Sequence, residues 1–86
     1  MERVVCIDGL PNWMTSGELA SLCAPYGSVV SAEIATDSAG KSLQYGFVRM
    51  TTVEEAEAVV GGLDQLDRFG PILYAACLSP DYAIAS

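Results

Sequence analysis

The sequence predicts an α+β fold in the order β-α-β-β-α-β: a ferredoxin-like, four-stranded antiparallel sheet with two helices on one face. Three observations predict it. Four short runs rich in β-branched, aromatic or other apolar residues are each bounded by Gly, Pro or polar turns. Thr15 and Thr52 are each followed three residues later by a glutamate, Glu18 and Glu55, the reciprocal capping pattern that starts a helix. Each capped segment then continues with apolar residues at helical spacing.

The first strand is Val4-Val5-Cys6-Ile7, stopped by the turn Asp8-Gly9-Leu10-Pro11. The first helix opens at the Thr15/Glu18 cap and places Leu19, Leu22, Cys23 and Tyr26 on one face. Pro25 and Gly27 close it early. Val29 to Ala35 is the second strand, alternating from Val30 onward, and Thr36 to Ser42 is a polar loop. Tyr45-Gly46-Phe47-Val48-Arg49-Met50 is the third strand. The second helix follows the Thr52/Glu55 cap with Val53, Ala56, Val59, Val60 and Leu63 on one side, and Gly61-Gly62 weakens its end. Asp64 to Pro71 is a turn region, Ile72 to Leu78 the fourth strand, and Pro80 ends it. Residues 1–80 therefore form one domain, with 81–86 as a C-terminal tail of no strong preference.

Composition narrows the function. The chain has 86 residues, 51% of them hydrophobic, which is one domain and too apolar for a disordered tail. Four Lys+Arg stand against 11 Asp+Glu, a formal net charge of −7, with no histidine. Such a surface repels a polyanion at long range, which disfavours duplex binding and affinity driven by phosphate neutralisation. The three cysteines at 6, 23 and 77 form no CxxC pair, so no zinc site and no disulfide framework is implied; they read as free thiols packed like small hydrophobes. No apolar stretch reaches the length of a membrane span. The opening Met1-Glu2-Arg3 lacks the features of a signal peptide, so an intracellular setting, cytoplasmic or nuclear, is expected.

The order and residues resemble the RNA recognition motif family from about Val4 to Leu78. The family's third-strand octapeptide reads K/R-G-F/Y-G/A-F-V-x-F/Y. Here Leu43-Gln44-Tyr45-Gly46-Phe47-Val48-Arg49-Met50 matches at Tyr45, Gly46, Phe47 and Val48 and departs at Leu43, Gln44 and Met50, so the motif is partly degenerate. The first-strand motif, an apolar hexapeptide with an aromatic second residue, corresponds to Val5-Cys6-Ile7-Asp8-Gly9-Leu10, with Cys6 where the aromatic is expected. Leu19, Leu22, Pro25-Tyr26-Gly27 and Val29 also look like the family's first helix and its exit, with Cys23 in place of a usual core Phe. The resemblance implies a single-stranded RNA-binding module.

Strand alternation puts Leu43, Tyr45, Phe47 and Arg49 on one face and Gly46, Val48 and Met50 on the face toward the helices. Exposed rings two residues apart suit unstacked bases. The expected RNA-binding residues are Tyr45 and Phe47 for stacking, Arg49 and Lys41 for phosphate or base edges, and Leu43, Cys6 and Tyr74 as their neighbours. Cys6 offers no stacking surface; Tyr74 on the fourth strand either replaces part of what is lost or is an edge-strand tyrosine half-covered by the tail. Asp8 and Glu33 share that face with Arg49. The remaining acids, Glu18, Glu54, Glu55, Glu57, Asp64 and Asp67, lie on helices and turns. The expected ligand is single-stranded RNA, with single-stranded DNA as a variant, bound weakly and by stacking.

Other readings stay open. The alternative for Tyr45 and Phe47 is a second core under a helix, a tail or a partner chain. Arg49 serves equally as a solvated charge beside Glu33. Protein interaction or homodimerisation on the same fold is the alternative function. Some relatives bind peptides through an acidic first helix and an Arg-x-Phe turn; here the turn reads Asp67-Arg68-Phe69, with the Arg one place off. Catalysis is not expected: there is no histidine, no phosphate-cradling loop and no metal-ligand cluster, and no cofactor is implied.

Overall fold

The computed structural model describes residues 3–67, 70 and 72–77. Its elements are β1 (Val4–Asp8), α1 (Ser16–Cys23), a 3-10 turn (Ala24–Tyr26), β2 (Val29–Thr36), β3 (Ser42–Met50), α2 (Val53–Leu63) and β4 (Tyr74–Cys77). The strands form one antiparallel sheet in the order β2-β3-β1-β4. The expected order of elements is present, and both central strands, β1 and β3, carry the motif residues.

Both capping boxes form. The Thr15 hydroxyl accepts from the Glu18 amide at 3.1 Å, and the Thr15 amide donates to Glu18 Oε1 at 3.0 Å. At α2 the Thr52 and Glu55 pair repeats this at 3.1 Å in both directions. Glu55 does more: its second oxygen accepts from the Ser28 amide at 3.0 Å, tying the start of α2 to the chain entering β2. One carboxylate thus satisfies two amides from separate segments.

The core explains which side of each strand faces the helices. Val5 and Ile7 of β1, Val48 and Met50 of β3 and Ala75 of β4 are buried against Leu19 and Cys23 of α1 and against Ala56, Val59 and Leu63 of α2. Both helices therefore cover the same sheet face. Cys23 fills the position where a larger side chain was expected. Its thiol is fully buried, and desolvation pushes its pKa up to about 11, so it stays a neutral packing group.

Four local expectations change. Tyr26 lies past the end of α1, because Pro25 has no amide to continue the α-helical ladder and the chain tightens into the 3-10 turn. In β2 a register irregularity between Val29 and Ser31 leaves Val30 exposed, and the alternation resumes only beyond it. The fourth strand starts at Tyr74 rather than Ile72. Leu73 is occupied elsewhere: its carbonyl accepts from Gln65 at 2.6 Å and its amide donates to Leu66 at 2.7 Å, so it belongs to the turn after α2. Finally, β3 begins at Ser42, earlier than the expected Tyr45, while α2 reaches Leu63 through Gly61-Gly62 as its apolar spacing predicts. Gly62 is needed there, because a Cβ would occupy the space of the Tyr26 ring, whereas nothing lies within 4 Å of a Cβ at Gly61. Leu78, Pro80, the tail 81–86 and the Arg68-Phe69 part of the turn motif lie outside the described residues.

Candidate nucleic-acid interface

The cross-strand register converts the helix-free face into a map. In the middle row Glu33, Phe47, Cys6 and Ala76 stand side by side across β2, β3, β1 and β4. The row toward the exit of β1 is Tyr45, Asp8 and Tyr74. The row at the other end is Ser31, Arg49 and Val4. Rows two residues apart are separated by about 7 Å along the strands.

The structure brings together five of the seven residues expected for binding: Tyr45, Phe47, Arg49, Cys6 and Tyr74 share this face. Tyr45 and Phe47 are half-buried, and their ring centroids lie 5.8 Å apart with the planes at 90°. That edge-to-face contact is favourable, but only one of the two rings can then lie parallel to the sheet. Stacking on both at once requires one ring to turn. Tyr74 is 56% exposed and stands across Asp8 from Tyr45, so the aromatic surface extends to the outer strand on that side.

Leu43 and Lys41 sit apart from the platform. Gln44 adopts the left-handed backbone region with φ 66, its carbonyl accepts from the Leu10 amide at 2.9 Å and its amide donates to the Ser42 hydroxyl at 2.9 Å. This kink interrupts the alternation that assigned Leu43 to the Tyr45 face; Leu43 is 46% exposed beside it. Lys41 is exposed in the β2–β3 loop. Asp37 braces that loop, accepting from the amides of Ala39 and Lys41 at 2.9 Å each. Lys41 lines a shallow depression of about 420 Å³ with Asn12, Ser42 and Gln44.

Among the described residues this face is net negative, with one cation against two acids. Arg49 stands against Asp8 and Glu33, while Glu18, Glu54, Glu55 and Glu57 belong to the helices. The Cys6 thiol is pushed up by desolvation and, secondarily, by the charge of Asp8; it is neutral and adds neither charge nor a ring. The Cys77 thiol is pushed up by desolvation and then by Glu57, which places it toward α2. Among the described residues no cluster of His, Cys, Asp or Glu is arranged to hold a metal ion, and no helix is long and apolar enough to cross a membrane.

Two features escaped the sequence. Trp13, 60% exposed, lines a groove of about 490 Å³ with Met14, Glu18 and Leu22 beside α1; a lone tryptophan between a turn and a cap was its signal. The central place of Asp8 was also missed, because only the register shows that tyrosines flank it on both sides.

Comparison with known proteins agrees with the geometry. Residues 5–73 match the RNA recognition motif family. Among curated proteins, "RNA-binding motif, single-stranded-interacting protein 1" of Bos taurus is 44% identical over 55 residues, which is 64% of this chain and 14% of the relative. Protein 2 of the same name from Homo sapiens is 39% identical over 54 residues, 63% of this chain and 13% of the relative. The chain thus spans about one-seventh of the length of these relatives. Among solved structures, the RNA15 RRM superposes with a TM-score of 0.85 at 24% identity, covering 95% of this chain and 97% of that one. The Rna15 RRM with bound RNA (GU) gives 0.82 at 24% identity, with 92% and 85% covered. Domains 1 and 2 of Sex-lethal from Drosophila melanogaster give 0.84 at 24% identity, with 92% of this chain and 51% of that one covered. At these identities the structures speak to the fold. With its family model matching residues 5–73 and the fold agreeing, the chain belongs to the RNA recognition motif family, an RNA-binding and non-enzymatic one.

Proposed function

We propose that this domain binds single-stranded RNA on the helix-free face of its sheet, weakly and by stacking. The observation that carries this is the central placement of Tyr45 and Phe47, adjacent on β3 and in contact at 5.8 Å, on a face that neither helix covers. One base stacks on the ring that lies flat and meets the edge of the other; a turn of the second ring opens a second platform. Each stack contributes about 1–3 kcal/mol and tolerates any base. Arg49 on the face and Lys41 in the adjoining β2–β3 loop serve the phosphates or base edges, with Cys6 and Tyr74 as neighbours of the rings and Leu43 beyond the Gln44 kink. A single-stranded-interacting relative and a structural neighbour bound to RNA (GU) support the ligand class. Single-stranded DNA presents the same bases and is the secondary ligand. An intracellular setting, cytoplasmic or nuclear, fits this reading.

Charge sets the character of binding. Two cations neutralise few phosphates, and the salt slope for single strands is about −0.7 per phosphate. A titration with labelled single-stranded RNA at increasing salt is expected to give a log–log slope shallower than about −2. A steeper slope would refute stacking-led binding, and so would tighter binding to duplex than to the single strand.

The competing reading is a protein partner or a second copy on the same face. It is favoured by the outlying apolar exposure at Leu43 and Tyr74, 46% and 56%. It requires that the rings be covered by protein, so RNA and self-association would then compete.

A further inference from the structure

Base selection, which rests on the RNA-binding reading, depends on the polar groups that stand between the rings. Asp8 occupies the middle of the Tyr45–Asp8–Tyr74 row and is exposed. Arg49, the cation of this face, pairs across from Val4, four residues back along β1, about 13 Å away. Among the described residues, Asp8 therefore has no cation beside it in its own row. A carboxylate in the middle of a surface that holds a polyanion repels it unless the ligand donates hydrogen bonds to it.

The ligand groups that can donate there are limited. Phosphate oxygens only accept. A base lying on the Tyr45 ring extends its edge over the neighbouring strand, about 4.8 Å away, which is where Asp8 stands. Guanine presents two adjacent donors on its Watson–Crick edge, N1–H and the N2 amino group, at a spacing that matches the two oxygens of one carboxylate. Adenine and cytosine present one amino group beside an acceptor nitrogen. Uracil presents a single N3–H between two carbonyl oxygens, and these would face the carboxylate. An ionised acceptor makes such bonds short and strong.

We propose that Asp8 is a base-specificity residue that selects guanine over other bases at the slot formed with Tyr45 and Tyr74. Glu33 beside Phe47 repeats the chemistry one row away, nearer to Arg49, which lessens its effect. The acidic composition that weakens phosphate binding thereby supplies base discrimination.

The test uses fluorescein-labelled octaribonucleotides: a uridine strand, the same strand with one central guanosine, and the same strand with inosine there. Guanine stacks better than uracil in any case, so the informative ratio is guanosine to inosine. The two stack alike, and inosine lacks only the N2 amino donor. The native chain is expected to bind the guanosine strand about tenfold more tightly than the inosine strand. Asp8→Asn replaces one carboxylate oxygen by an amide donor and should bring that ratio below about twofold, with the uridine strand bound at least as well as before. Asp8 is exposed and asparagine matches its shape, so the variant should keep its melting temperature. A ratio near one in the native chain, or a ratio that Asp8→Asn leaves unchanged, overturns the assignment while RNA binding itself stands. Failure of every strand to bind overturns the RNA reading and this inference with it.

Discussion

Replacing Tyr45 and Phe47 together by alanine lowers affinity for single-stranded RNA by at least about thirtyfold and leaves a folded domain. The size follows from two stacks of about 1–3 kcal/mol each, where 1.4 kcal/mol is a factor of ten. The rings are half-buried and lie outside the core that joins the sheet to α1 and α2. What the fold loses is the edge-to-face pair, about 0.5–1.5 kcal/mol, with some cross-strand contact to Cys6 and Asp8. Set against a domain stability of about 5–15 kcal/mol, that loss is tolerable. Fluorescence anisotropy measures the affinity, and circular dichroism melting checks the fold. A double variant that unfolds would move these rings into the core; one that keeps its affinity would move the RNA elsewhere.

Gly46→Ala has the opposite profile, a large loss of stability from one added methyl group. The family motif admits Gly or Ala at this place, but here only Gly fits. A Cβ on Gly46 would lie 2.6 Å from the Glu33 carbonyl oxygen, 3.0 Å from Leu19 and 3.3 Å from Ile34. Leu19 is fully buried and the carbonyl is backbone of the neighbouring strand, so neither yields easily. Overpacking of this kind costs about 1–3 kcal/mol, which for a domain of this size lowers the melting temperature by roughly 5–20 °C. The same displacement separates β2 from β3 at the platform, so RNA affinity falls as well. An unchanged melting temperature would show that the β2–β3 contact is looser than described.

Much of this was legible in the sequence, for identifiable reasons. Capping boxes are local, and both Thr/Glu pairs form their reciprocal bonds. Alternation is also local, and it sorted Tyr45 and Phe47 from Gly46, Val48 and Met50 correctly because β3 is regular there. It failed at Gln44, where a left-handed residue kinks the strand. Nothing in Leu43-Gln44-Tyr45 announces that conformation, which the Leu10 amide and Ser42 hydroxyl stabilise from outside the local pattern. The same distinction explains the glycines of α2. Helix propensity priced Gly61 and Gly62 alike, while the fold places the Tyr26 ring over one and open space over the other. Leu73 has strand composition, but the turn after α2 claims both its backbone groups.

The site divides along the same line. The aromatic pair was readable from one strand. The importance of Asp8 was not, because it depends on three strands meeting: Tyr45 from β3 and Tyr74 from β4 on either side of β1. From the sequence, Asp8 is one of two acids expected on the open face, and its charge counts only against nucleic acid. In the sheet it stands between the two tyrosines, where the proposed binding mode puts bases rather than phosphates.

Amide chemical-shift mapping is the most direct test of where RNA sits. The isotope-labelled chain is titrated with the guanosine-containing octaribonucleotide. The account predicts the largest shift changes at Cys6, Asp8, Tyr45, Phe47, Arg49 and Tyr74, with α1 and α2 nearly unaffected. Shifts concentrated at Trp13, Glu18 and Leu22 beside α1, with the β1 and β3 amides silent, would contradict it.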